Sequence, residues 1–264
     1  MPGLVGALSV LGMAVVAPLG LRRLATPGVA RLVPFWPFLA LVAGWGLLLE
    51  RGAVAVALVL PYAVACAAVA ALAALRFLRD RRLGTRDMVA GFACAALFVA
   101  ATSLVAERAG IELLGFTLAI HGLTVAHFHY AAFAAVLVAG LTWQAAPSRL
   151  TTAGAWAVPV GTAITFAGFF TGNAVELVGA TVLTGGLLLT SYALLRLRPH
   201  AFLVVAALAI PLTMALALWW AAGEAFGYGH PTLRQMAATH GVANALGVGL
   251  CGLLGWRSVT PPSL

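Results

Sequence analysis

Lysine is absent from this sequence, and acidic residues number only seven. Charged residues make up 8% of the chain, against about 25% in a typical soluble domain. That is too little charge to clothe a water-facing surface. Disorder is excluded as well, because it requires low hydrophobicity and high charge. Without lysine there is no Gly-x-x-x-x-Gly-Lys string, so the chain is not itself a P-loop pump. The three cysteines, Cys66, Cys94 and Cys251, lie inside apolar segments with no CxxC spacing. They read as small buried hydrophobes and say nothing about redox compartment. Aspartate-rich metal motifs, a low-complexity tail and a long linker are also missing. No platform of basic and aromatic residues points to nucleic acid.

What is present is hydrocarbon. Of the 264 residues, 63% are hydrophobic, and the mean hydropathy is +1.05. Apolar runs long enough to cross a bilayer fall at about nine places: 3–20, 33–49, 53–76, 88–106, 113–142, 152–171, 175–195, 201–222 and 236–256. The expected fold is all-α, a polytopic transmembrane helical bundle forming one integral membrane domain over 1–264, with no separate soluble domain. The lipid bilayer of the cell membrane is its first partner. The first run reads as a span, because no basic residue precedes it and Arg22 and Arg23 follow it.

All fifteen basic residues are arginines, and they fall between the apolar runs. One set of connections holds Arg22, Arg23, Arg31, Arg76, Arg79, Arg81, Arg82, Arg86, Arg149, Arg196, Arg198 and Arg257. The other set holds Arg51, Arg108 and Arg234. This bias places the N-terminus outside and the C-terminus in the cytoplasm. The acids lean the other way: Glu50, Glu107, Glu112, Glu176 and Glu224 fall at outer helix ends. Pro61 and Pro211 interrupt the third and eighth spans. Spans 1–4 and 6–9 would then be inversely oriented around span five, although no convincing sequence repeat supports this.

Span five carries Thr117, His121, Thr124, His127, Phe128, His129 and Tyr130. At about 100° per residue these polar groups point around most of the helix. An imidazole in hydrocarbon lacks partners, so span five is expected to be the enclosed central helix, with both His127 and His129 buried. His240 and Asn244 share one face of span nine, continued by the small residues Gly247 and Cys251, and should pack near a histidine of span five. Glu107, Glu112, Asn173, Glu176, Glu224 and His230 would ring a polar cavity opening outward. The bland alternative is that each histidine staples helices together, that the outer glutamates are solvated, and that His230 is a loop residue in water.

Two resemblances follow from these residues. Val125-Ala126-His127-Phe128-His129-Tyr130 resembles the helix of haem–copper oxidase subunit I that carries haem ligands on two faces. The adjacent His-His pair and the other copper-ligand histidines of that family are absent here. More broadly, Ala17-Pro18-Leu19-Gly20-Leu21, His127-Phe128-His129-Tyr130-Ala131, and His240-Gly241 with Asn244-Ala245-Leu246-Gly247 resemble the YndJ-like family of bacterial membrane proteins. Ala132 stands where a Gly would be expected. The resemblance implies a polytopic membrane protein and assigns no reaction.

Three functions compete. The first is acid–base chemistry, a cyclisation or isomerisation, on a lipophilic isoprenoid-type molecule, by fold-level analogy with small transmembrane terpene cyclases. Glu50, Glu107, Glu176, His127, His129 and His240 are its candidate catalytic residues, and His121, Tyr130, Asn173 and Asn244 its candidate substrate contacts. This reading requires no cofactor. The second is a haem- or metal-binding redox or sensor protein, with His127, His129 or His240 as ligands. The third is a transporter of a small solute.

Overall fold

The structure, a computed structural model, describes residues 3–24, 27–81, 83–197, 200–258 and 264. Arg82 and Arg198, counted in the charge bias above, lie outside the described residues. Among those described, every element is helical, and nine helices are long and apolar enough to cross a membrane. They are α1 (Gly3–Leu21), α2 (Gly28–Leu48), α3 (Ala53–Asp80), α4 (Thr85–Ala109), α5 (Leu118–Ala145), α6 (Arg149–Thr171), α7 (Asn173–Arg196), α8 (Ala201–Phe226) and α9 (Leu233–Ser258).

Local chemistry sets several boundaries. Helix α2 begins at Gly28, earlier than its apolar run, because Pro34 falls in a tight turn over Val33–Phe35 and Pro37 in the first turn of the segment that resumes at Trp36, so neither ends the helix. Helix α5 begins at Leu118, later than expected. Leu114 sits at φ 58° just before it, and the Thr117 side chain then accepts from the Ile120 amide, capping the first turn. Ser148 with Thr151 and Thr232 with Gln235 form reciprocal capping boxes. Gly110 and Gly227 end α4 and α8 in the left-handed conformation.

Two compact units divide the chain, both built from membrane-length helices. Residues up to Phe133 form the first, with α1–α4 and the first half of α5; from Ala134 the second half of α5 joins α6–α9. Over its apolar stretch α5 is 83% buried, against 33–56% for the other eight helices. Its expected enclosure is therefore observed, with one exception at His127.

In the second unit, glycine governs the contact between α6 and α7. Gly154, Gly161 and Gly168 recur every seven residues on α6, and Gly179 and Gly186 do so on α7. A Cβ at Gly161 would lie 2.3 Å from the Leu183 amide nitrogen, and one at Gly179 would lie 2.2 Å from that of Thr165. The two backbones approach too closely for any side chain, a common way to gain packing energy in lipid. Helix α8 shows another membrane device. Pro211 cannot donate to the carbonyl of Ala207, and the Ser191 hydroxyl donates to that oxygen at 2.7 Å. On α9, Gly252 leaves room for Val138 of α5: a Cβ there would lie 2.7 Å from its Cγ2.

Candidate functional site

The histidines settle into two similar anchors, one in each unit. In the first unit, α1 and α5 each open into a wide i→i+5 turn, over Gly12–Val16 and Phe128–Ala134. The two turns meet at His129, whose Cβ would lie 2.8 Å from a Cβ at Gly12. His129 is fully buried. Its Nδ1 lies 2.7 Å from the Val125 carbonyl, which can only accept, so Nδ1 carries the proton. The lone pair at Nε2 then receives the Tyr62 hydroxyl at 2.6 Å. Tyr62 is equally buried, with Trp36 edge-on at 5.5 Å. The neighbouring Tyr130 hydroxyl donates to Leu8 O at 2.7 Å.

In the second unit, α9 opens into wide turns over Ala237–Gly241 and Asn244–Cys251. His240 donates from Nδ1 to Thr213 O at 2.8 Å. Asn244 donates from Nδ2 to His240 Nε2 at 3.0 Å. Both histidines are thus held as the same tautomer. Each is anchored just past the proline of a partner helix, since Tyr62 follows Pro61 and Thr213 lies two residues beyond Pro211. Such wide turns are frequent at functional positions. Here they occur where polar side chains must find backbone or side-chain partners inside apolar helices.

This geometry answers several expectations. The partners of His240 come from α8 and from its own helix. Either Nε2 would have to give up an existing hydrogen bond before ligating a metal. Among the described residues, no group of three His, Cys, Asp or Glu side chains is placed to hold a metal ion. His127 departs from expectation. It is exposed, because the i, i+2 spacing turns it away from the face that buries His129, and the enclosure of α5 stops short of that side. His121 is buried, and among the described residues its Nε2 has no hydrogen-bond partner; Phe116 meets the ring edge-on at 6.3 Å.

The carboxylates separate into two kinds. Glu50 and Glu112 are exposed. Glu107 and Arg108 are 1% and 2% exposed and form an ion pair. Glu107 Oε1 also receives Arg51 at 3.0 Å, so each carboxylate oxygen already has a guanidinium. Arg108 further donates to Leu49 O at 3.0 Å and to Gly46 O at 3.4 Å, tying the end of α4 to that of α2. This is the chemistry of a structural clasp. Glu176 differs. It is 6% exposed, and among the described residues it makes no ion pair or side-chain hydrogen bond. It sits where Gly168 lets α6 approach, since a Cβ at Gly168 would lie 2.5 Å from its Cα.

Glu224 is exposed, and its Oε1 lies 3.2 Å from His230 Nε2. Asn173 donates to the Glu224 carbonyl at 2.9 Å, fastening the start of α7 to the end of α8. Gly223 makes room for the imidazole, and Trp220 stands edge-on to it at 6.2 Å. The second unit therefore gathers Asn173, Glu176, Glu224 and His230 at one helix end. In the first unit, a cavity of about 290 Å³ is lined by Leu21, Arg22, Leu24, Ala30, Val33 and Pro34, none of them a nominated site residue. Sequence reasoning missed Tyr62 and Thr213, and it placed Glu224 and His230 at one mouth without foreseeing their direct contact. The available signals were Tyr62 directly after the mid-helix Pro61, and an acid and a histidine flanking the Gly227 turn.

A family model described as YndJ-like protein matches residues 7–248. The chain belongs to the YndJ-like family. Neither a curated protein nor a solved structure matches it. The matched YndJ-like region contains both histidine anchors and the whole Glu176 cluster. Its nine apolar helices make this YndJ-like chain a multi-pass membrane protein.

Proposed function

We propose that the working site of this YndJ-like protein is the Glu176 end of the second unit. There a buried carboxyl gives a proton to, and takes one from, a lipophilic isoprenoid-type molecule. The observation that carries this reading is the contrast between two buried glutamates. Glu107 is committed to two arginines, whereas Glu176 is buried without any such partner among the described residues. A carboxyl that is not locked into an ion pair can act as a general acid–base. Protonation of an alkene or epoxide there, followed by loss of a proton from carbon, gives an isomer of equal mass. His129 and His240 then act as helix anchors that hold the two units in shape. The arginine distribution supports an N-terminus outside and a C-terminus in the cytoplasm, with the Glu176 end facing outward.

The test is to add isoprenoid alcohols, diphosphates and epoxides to purified protein and search by mass spectrometry for isomers of unchanged mass. Glu176→Gln should fold and yield none, and a product undiminished in that variant would overturn the assignment. A second reading, movement of a small solute, is favoured by the proline-interrupted α3 and α8, each anchored by a histidine contact. It predicts gradient-dependent uptake by reconstituted vesicles and no isomer.

A further inference from the structure

The cavity in the first unit is separate from the Glu176 site, and none of its residues has a chemical role above. Leu21, Leu24 and Val33 form its buried walls. Arg22, Ala30 and Pro34 stand at its rim and are exposed. It lies where α1 ends and α2 begins, at the end of the unit where arginines gather. A Cβ at Gly28 would lie 2.8 Å from Leu72 Cδ1, which packs the start of α2 onto α3 one turn before Arg76.

Arg22 has charge to offer there. The main chain at the end of α1 closes on itself: the amides of Arg22, Arg23 and Leu24 donate to Pro18 O, Gly20 O and Leu21 O at 3.3, 2.9 and 3.1 Å. The guanidinium is therefore not needed to satisfy those carbonyls. Among the described residues it makes no ion pair or side-chain hydrogen bond. No acid occurs in the sequence before Glu50. Asp80 and Asp87 already face Arg76 and Arg79 at 3.3–3.8 Å.

We infer that this cavity binds the headgroup of an anionic phospholipid. Basic pockets between membrane helices hold such headgroups by charge. Arg22 meets the phosphate oxygens with its planar fork of donors, and Leu21, Leu24 and Val33 receive the glycerol and the first chain carbons. Phe38, one turn beyond Pro34 and 68% exposed, continues the apolar surface along α2 for the chains. A volume of about 290 Å³ is small for a ligand pocket and suits a headgroup whose chains stay in the bilayer. Inorganic phosphate shares the oxygens but gains nothing from the apolar walls. A zwitterionic lipid brings its own cation toward Arg22. In the orientation proposed above, this end meets the cytoplasmic leaflet, the anionic one.

Native mass spectrometry of the purified full-length protein counts the lipid it retains after mixing with phosphatidylglycerol or phosphatidylcholine, with and without inorganic phosphate. Phosphatidylglycerol should be retained roughly 5-fold better than phosphatidylcholine. Arg22→Gln should abolish that preference, and so should Ala30→Trp, which fills the hollow and keeps the charge. Arg79→Gln removes the same charge at a side chain 88% exposed and should leave the preference intact. Equal losses in Arg22→Gln and Arg79→Gln would reduce the effect to the general field of the arginines and overturn the site. Displacement of the lipid by inorganic phosphate would overturn it too, as would a wild-type preference in both Arg22→Gln and Ala30→Trp. Arg22 is exposed, so Arg22→Gln keeps the test decisive should Ala30→Trp fold poorly.

Discussion

Tyr62 donates a 2.6 Å hydrogen bond to His129 Nε2, and neither side chain reaches solvent. The bond is possible because the opposite ring nitrogen is already committed to Val125 O. A buried acceptor left without its donor costs the full desolvation of that group. Tyr62→Phe should therefore destabilise the protein by about 1–3 kcal/mol, read as a lower unfolding midpoint in detergent. A midpoint equal to wild type would remove the anchor from the account of the fold.

The Glu107–Arg108 clasp predicts a larger penalty. Removing one member of a buried ion pair strands the other, at a cost of about 3–5 kcal/mol. Arg108→Leu should sharply reduce the yield of folded protein, and Glu107→Gln should lower yield and any activity together. Glu176→Gln should leave yield near wild type. The two glutamates thus part on a measurement of folded protein alone.

Two glycines on α7 give a paired test of the close helix contact. A methyl at Gly179 would fall 2.2 Å from a backbone nitrogen, whereas Gly185 has nothing within 4 Å. Gly179→Ala should cost about 1–3 kcal/mol, and Gly185→Ala should cost nothing measurable. Equal effects in a thermal unfolding series would refute the α6–α7 contact.

Membrane orientation can be tested separately. A reporter fused after Leu264 should be active only in its cytoplasmic form, as the arginine bias requires. Activity on the far side of the membrane would turn the Glu176 end inward and remove its access to outside water.

Haem binding gives a further test. With both Nε2 atoms engaged by Tyr62 and Asn244, added haem should give no Soret band that depends on His129 or His240. A band abolished by His129→Phe or His240→Phe would show that an anchor opens to admit iron.

The spans were legible because hydrocarbon thickness dictates their length, and nine runs of apolar residues leave little freedom. The buried setting of His129 was legible too, since an imidazole in mid-helix must be shielded. The exposure of His127 was not. The helical wheel gives angles but not which sector the neighbours leave open. The partner of His240 was also hidden, because Thr213 contributes a main-chain carbonyl, and no residue type advertises that. The seam between α6 and α7 was written in the sequence as glycine every seventh residue, a signal that a search for histidines and acids passes over. The Glu224–His230 pair depends on how the chain turns at Gly227, which hydropathy does not encode.

The wide turns that carry His129, Tyr130, His240 and Asn244 bear on length. Such a turn takes up one more residue than the ordinary helical count, so the chain locally runs ahead of its own rise. Deleting any single residue within 128–134 would let the helix close normally. The flanking segments would keep their faces, and the residues inside the turn, His129 among them, would be redistributed over a narrower helix. The His129–Tyr62 bond would be lost even if both residues were untouched. The spacing of this segment is therefore as much a part of the anchor as the imidazole and the phenol.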